Sequence, residues 1–167
     1  AVRLITDASK NPNLQGAIYF PPHTYNFLTS CTIPEGVMIY MEHGASFNIA
    51  SGKTLTIEGQ YRGPGTFGGS GTVVLKNVTE IDARDFGVKM NDANDYSAEL
   101  SRAYAAANGI TVGSGATAKG VTVKIPVGVV NISPLTTAPS SFVKTMGSGG
   151  IVWSTANPSS SILKAVS

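Results

Sequence analysis

The sequence predicts an all-β chain of short strands wound corner by corner and interrupted by a single helix. Three observations carry this. Its 167 residues include 19 Gly and 9 Pro, and only 13% are charged, against about a quarter in an average domain. Such material suits strands and turns rather than helix bundles. Short runs of β-type residues recur at close spacing with Gly, Pro, Asn or Ser between them. A segment early in the chain also returns late in it, with a strand, a Pro-led corner and a second strand in the same order.

The strands are expected at 17–20, 24–28, 37–41, 46–49, 54–58 and 72–75, then at 121–125, 129–132, 142–145, 151–153 and 162–166. In Thr54-Leu55-Thr56-Ile57-Glu58 polar and apolar residues alternate, which gives a strand one buried and one wet face. Between the two groups, Leu100, Ala103, Tyr104 and Ala107 fall at helical spacing, so a helix is predicted over 96–108. Asp95 is placed to cap its first turn, and Asn108-Gly109 to stop it in a left-handed conformation.

The repeat sets Phe20-Pro21-Pro22-His23-Thr24-Tyr25-Asn26-Phe27 above Ile125-Pro126-Val127-Gly128-Val129-Val130-Asn131-Ile132. The same offset carries Phe20 to Ile125, Asn26 to Asn131 and Pro34 to Pro139. No Asn-Gly or Asp-Gly dipeptide lies between strands, so the tightest hairpin signal is missing and the chain reads as winding a coil. The two copies read as two starts of one architecture.

Several functions are excluded or disfavoured by composition. All ten acids lie at or before Glu99, leaving −3 before residue 100 and +5 after it. The five later cations are scattered among Ser and Gly, not clustered as a nucleic-acid face requires. The longest charge-free runs carry prolines and many hydroxyls and are not membrane spans. Cys31 is the only cysteine, so no intrachain disulfide forms; it reads as a small core residue. His23 and His43 stand near corners without the further ligands a metal needs. Gly63-Pro64-Gly65-Thr66-Phe67-Gly68 spells a dinucleotide fingerprint, but a strand follows where a helix N-terminus would have to receive the phosphates. The sequons at Asn77 and Asn131 gain meaning only in a glycosylating host. Tyr25, Tyr40, Tyr61 and Trp153 offer rings that can stack on sugars, with core or inter-subunit packing the stronger expectation for them.

The segment Asp85-Phe86-Gly87-Val88-Lys89-Met90-Asn91-Asp92-Ala93-Asn94-Asp95-Tyr96-Ser97-Ala98 resembles the signature that leads into the main domain of pectate-lyase-like, right-handed β-helix proteins. Met90-Asn91-Asp92 stands where that family has Gly-Asp-Gly, and Tyr96 where it has a second Asp. Upstream, Ile33-Pro34-Glu35-Gly36-Val37, His43-Gly44-Ala45-Ser46-Phe47 and the run from Ser51 to Gly59 resemble the small β-helical domain ahead of the main β-helix in bacteriophage tailspikes. The resemblance implies an all-β chain of right-handed parallel β-helix segments with one short capping α-helix at about 96–108. It implies a small N-terminal domain over 1–82, and a lead-in, helix and first coils over 83–167. The chain reads as a fragment cut at both ends.

For function, the resemblance implies the structural, connecting part of a homotrimeric tailspike in the virion tail, with other virion proteins as further partners. The full spike would recognise and depolymerise bacterial capsule or O-antigen through later coils. The start of a secreted polysaccharide lyase or glycosidase of the same fold, or a non-catalytic adhesin, is the alternative. No catalytic, cofactor-binding or metal-binding residue is expected here, and neither nucleic acid nor membrane is an expected partner. Asp85, Gly87, Asp95 and Gly109 are expected to make turns and caps.

Overall fold

A computed structural model describes residues 13–110, 120–140, 143–147, 151–154 and 161–165, the last two stretches as backbone only. The chain divides into two compact units, 1–78 and 79–167.

Among the described residues of the first unit, nine strands form three parallel three-stranded sheets. They are β1 (Gly16–Phe20), β2 (Thr24–Phe27), β3 (Cys31–Ile33), β4 (Val37–Met41), β5 (Ser46–Ile49), β6 (Thr54–Ile57), β7 (Tyr61–Arg62), β8 (Thr66–Gly69) and β9 (Thr72–Leu75). The sheets run β1-β4-β7, β2-β5-β8 and β3-β6-β9, so each strand pairs with the one three places on. Three coils stacked edge to edge are the only reading of that order: the unit is a parallel β-helix. One full turn carries the chain from Gly16 to its partner Val37, and likewise from Tyr25 to Phe47.

Strand alternation sorts the side chains. The inward file Tyr25–Phe47–Phe67 stacks in register through the coils, as does Ile33–Ile57–Leu75. Phe47 is fully buried and meets Phe20, Tyr25, Phe27 and Phe67 at ring-centroid distances of 4.7–6.0 Å. Outward files carry polar groups: Asn48 Nδ2 donates to Asn26 Oδ1 across one rung at 2.7 Å. Corners close with backbone bonds such as Ala45 N–H to Glu42 O and Lys53 N–H to Ala50 O. Gly44 and Gly52 supply the positive φ (+87° and +68°) that these turns need.

The second unit begins at β10 (Glu80–Asp82), which pairs in parallel with β11 (Val121–Ile125), and β11 with β13 (Val143–Gly147). A 3-10 turn (Ala83–Phe86) and helix α1 (Ser97–Asn108) intervene. The predicted face Leu100, Ala103, Tyr104 and Ala107 is buried, joined by Ser101 and Ala106, and α1 packs against β10, β11 and β13. At the offset that carries Phe20 to Ile125, β1 maps onto β11 and β2 onto β12 (Gly128–Ile132). Burial follows: Phe20, Tyr25 and Phe27 are matched by Ile125, Val130 and Ile132, all buried.

Two features differ from the sequence reading. Strands β3, β7, β8 and β10 are additional to those expected; they have two to four residues, and β8 is half glycine. Strand β15 (Ser161–Ala165) pairs antiparallel with both β12 and β14 (Ile151–Ser154), where a further coil is expected from sequence. A missing Asn-Gly excludes only two-residue hairpins, and the connection from Ser154 to Ser161 is longer than that.

Candidate functional site

Asp82, at the end of β10, opens the lead-in to α1. Its extended backbone (φ −85°, ψ 127°) caps the 3-10 turn, and its carboxylate accepts from Arg84 N–H at 2.9 Å and from Arg84 Nε at 3.0 Å. The pairing raises the Arg84 pKa. The cap therefore falls to Asp82, while Asp85 sits half-buried in the first turn. Gly87 ends the turn at φ +95°, with its N–H on Arg84 O at 2.9 Å.

The segment that follows binds to β12 and the chain beyond it. Asn91 takes φ +53°, a left-handed angle that Asn tolerates. Its N–H donates to Val129 O at 2.8 Å, and its side-chain oxygen accepts from Val129 N–H at 3.1 Å. Asn131 Nδ2 donates to Asp92 O at 2.8 Å, so the second sequon amide is engaged within the fold. Asp92 accepts from Asn94 N–H and from the Tyr96 hydroxyl, bonds that lower its pKa. The N-cap of α1 is Tyr96, with no side-chain cap bond, which corrects the cap expected of Asp95; Asp95, one residue earlier, makes a turn instead, its Oδ1 accepting from Ser97 N–H at 2.9 Å and from Ser133 N–H at 3.0 Å. Its pKa falls to about 2, mainly through Ser133 and then Ser97.

Helix α1 continues this clasp. The buried Ser101 Oγ accepts from Thr136 N–H at 3.1 Å, and Asn108 accepts from Ser140 N–H and donates to Ala138 O. Gly109 is the C-cap residue, but its φ of −78° is right-handed, which corrects the left-handed stop expected of Asn108-Gly109. Its N–H still reaches Ala105 O at 3.1 Å, so the last turn closes without a reversal. Asn108 is held by 138–140 instead.

The remaining candidates separate. His23 and His43 are both exposed, and the His23 ring lies edge-on to Tyr25. Among the described residues no three His, Cys, Asp or Glu come together as a metal site would require. Cys31 is half-buried, and burial raises its pKa, keeping it a thiol rather than a nucleophilic thiolate. It borders a shallow groove of about 310 Å³ with Ser30, Thr32, Thr54 and Thr56. Gly63 and Gly65 mark a corner rather than a phosphate cradle: strand β8 follows, and a Cβ on Gly63 would collide with Met41 O.

Among the candidate rings, Tyr25 is buried, Tyr61 meets Phe67 edge-on, and Trp153 has its side chain outside the described residues. Tyr40 is different. It stands exposed on the outer face of β4 and stacks on Tyr19 of β1 at 5.6 Å with an interplanar angle of 10°. Tyr19, Tyr40 and Arg62 occupy one register position on three adjacent strands. Sequence reasoning misses Tyr19. The signal that finds it is the coil itself, because Tyr19 precedes Tyr40 by the same step that separates Gly16 from Val37.

No helix among the described residues is long and apolar enough to cross a membrane. Comparison with protein-family models, with curated proteins and with solved structures finds no match for this chain.

Proposed function

We propose that this chain is the structural, connecting part of a trimeric bacteriophage tailspike, whose full chain recognises and depolymerises bacterial surface polysaccharide. The observation that carries the reading is the restart of one architecture: β1 and β2 return as β11 and β12, with the lead-in and α1 between them. A β-helical unit whose first strands and corner recur in the next unit suits a chain whose work is connection. The acids of the lead-in support the same reading, since Asp82, Asp92 and Asp95 are all engaged in turns and caps.

Light scattering after gel filtration tests it. The expected mass is three times 17.3 kDa, with no new sugar ends released when the chain is incubated with capsule or O-antigen. A monomer that releases unsaturated or reducing ends overturns the reading in favour of a secreted enzyme.

A further inference from the structure

We propose that the free edge of β2 is a docking site for an extended polypeptide strand of a partner chain, one with the asparagine and aspartate chemistry of residues 91–96. The second unit supplies the template. At the offset that carries Phe20 to Ile125, Thr24, Asn26 and Leu28 match Val129, Asn131 and Ser133. There the lead-in lies along β12 as an added strand, with a parallel bridge between Asp95 and Asn131. Asn91 N–H donates to Val129 O, and Val129 N–H to the Asn91 side chain. Tyr96 N–H donates to Asn131 O, Asn131 Nδ2 to Asp92 O, and Ser133 N–H to Asp95.

The matching row of β2 has the same groups and no cover. His23 O and Phe27 O accept from Ser46 and Ala50 N–H, so Thr24, Asn26 and Leu28 turn their main-chain groups the other way, out of the sheet. Among the described residues β2 pairs with β5 alone. Asn26 Oδ1 accepts from Asn48, which leaves its Nδ2 to donate outward as Asn131 Nδ2 does. Exposure agrees: Thr24 and Asn26 are exposed and Leu28 is 71% exposed, whereas Val129, Asn131 and Ser133 are half-buried. Natural edges are commonly blunted by charge or proline, and 24–28 carries neither. A row of alternating N–H and C=O groups at strand spacing is matched by another backbone, which fixes the class of occupant. Residues 91–96 are already engaged on β12, so the strand comes from another chain. The match ends at His23, whose counterpart Gly128 (φ +128°) packs closely under Met90; the docked strand needs a small residue there. One copy of the first unit suffices, so the inference does not rest on the tailspike reading.

Amide NMR of the full chain, titrated with a synthetic peptide of residues 89–97 carrying Met90→Ala, is the test. Saturable shifts are expected at Thr24, Asn26 and Leu28, with slower solvent exchange of the Thr24 and Asn26 amides in the complex. The same peptide N-methylated at Asn91 and Tyr96 lacks the two donors and should bind about tenfold more weakly. Asn26→Asp keeps Oδ1 for Asn48 but loses the outward donor. It should weaken the unmethylated peptide about tenfold and keep the unfolding midpoint within a few degrees. The proposal is overturned if the peptide does not bind saturably, if a scrambled peptide binds as well, or if N-methylation and Asn26→Asp leave binding unchanged. It is equally overturned if the shifts fall at 129–133, where the peptide would be displacing the chain's own lead-in. Protection of the Thr24 and Asn26 amides before any peptide is added would also overturn it, because the edge would then be covered already.

Discussion

Gly63 and Gly52 both hold positive φ, but different neighbours make their substitution costly. At Gly52 (φ +68°) a Cβ would meet nothing within 4 Å, so only the backbone angle resists a side chain. Gly52→Ala should cost about 1 kcal/mol. At Gly63 (φ +100°) the added carbon would also run into Met41 O, and Gly63→Ala should cost at least about 2 kcal/mol. Urea denaturation of both variants checks the order; equal costs would mean the third coil does not press on the second. Phe47 is the other residue to probe. Buried among four aromatic rings, its replacement by Ala should cost about 3–5 kcal/mol. Of these details the sequence offered glycine between the strands and a strand at 46–49 that carries Phe47. It did not offer the Met41 contact, which exists only once two coils are stacked.

Among the elements, α1 and its lead-in depend on side chains reaching far along the chain. Asp95 joins the helix start to Ser133, and this lowers its folded pKa to about 2 from an ordinary 3.8. A depressed carboxylate stabilises the fold above its unfolded value, and the contribution is lost as pH falls from about 4 toward 2. Asp95→Ala should therefore lower the melting temperature at pH 7, by a loss of about 1 kcal/mol, and flatten its decline between pH 4 and 2. An unchanged decline would place the acid sensitivity elsewhere. The helix itself was legible from Leu100, Ala103, Tyr104 and Ala107, because helical periodicity is local. Its stop was not: Asn-Gly favours a left-handed end, but the bonds from Asn108 to 138–140 hold the last turn right-handed. Strands as short as β7 show too little alternation to be seen, and only their pairing defines them.

For the whole molecule, the coil is the organising quantity. The long offset from Phe20 to Ile125 was visible because Pro and Asn recur with it, and it is five times the step from Gly16 to Val37. The single-turn spacing was harder to see, because its length changes from sheet to sheet and from coil to coil. The step from Cys31 to Leu55 is longer than that from Gly16 to Val37, and the step from Leu55 to Val73 is shorter. Tyr19 and Tyr40 went unpaired in the sequence for that reason. Because 1–78 forms a compact unit with its own aromatic core, a fragment of those residues should fold alone and unfold in one cooperative transition, as circular dichroism on heating would show. The most direct test of the stacked-coil account is native-state amide hydrogen exchange across β2, β5 and β8. In a parallel sheet a central strand bonds every amide and an edge strand alternate ones. The account predicts slow exchange at every residue of Ser46–Ile49, with Thr24–Phe27 showing slow and fast amides in alternation. Alternation at Ser46–Ile49 as well would make β5 an edge strand and contradict it.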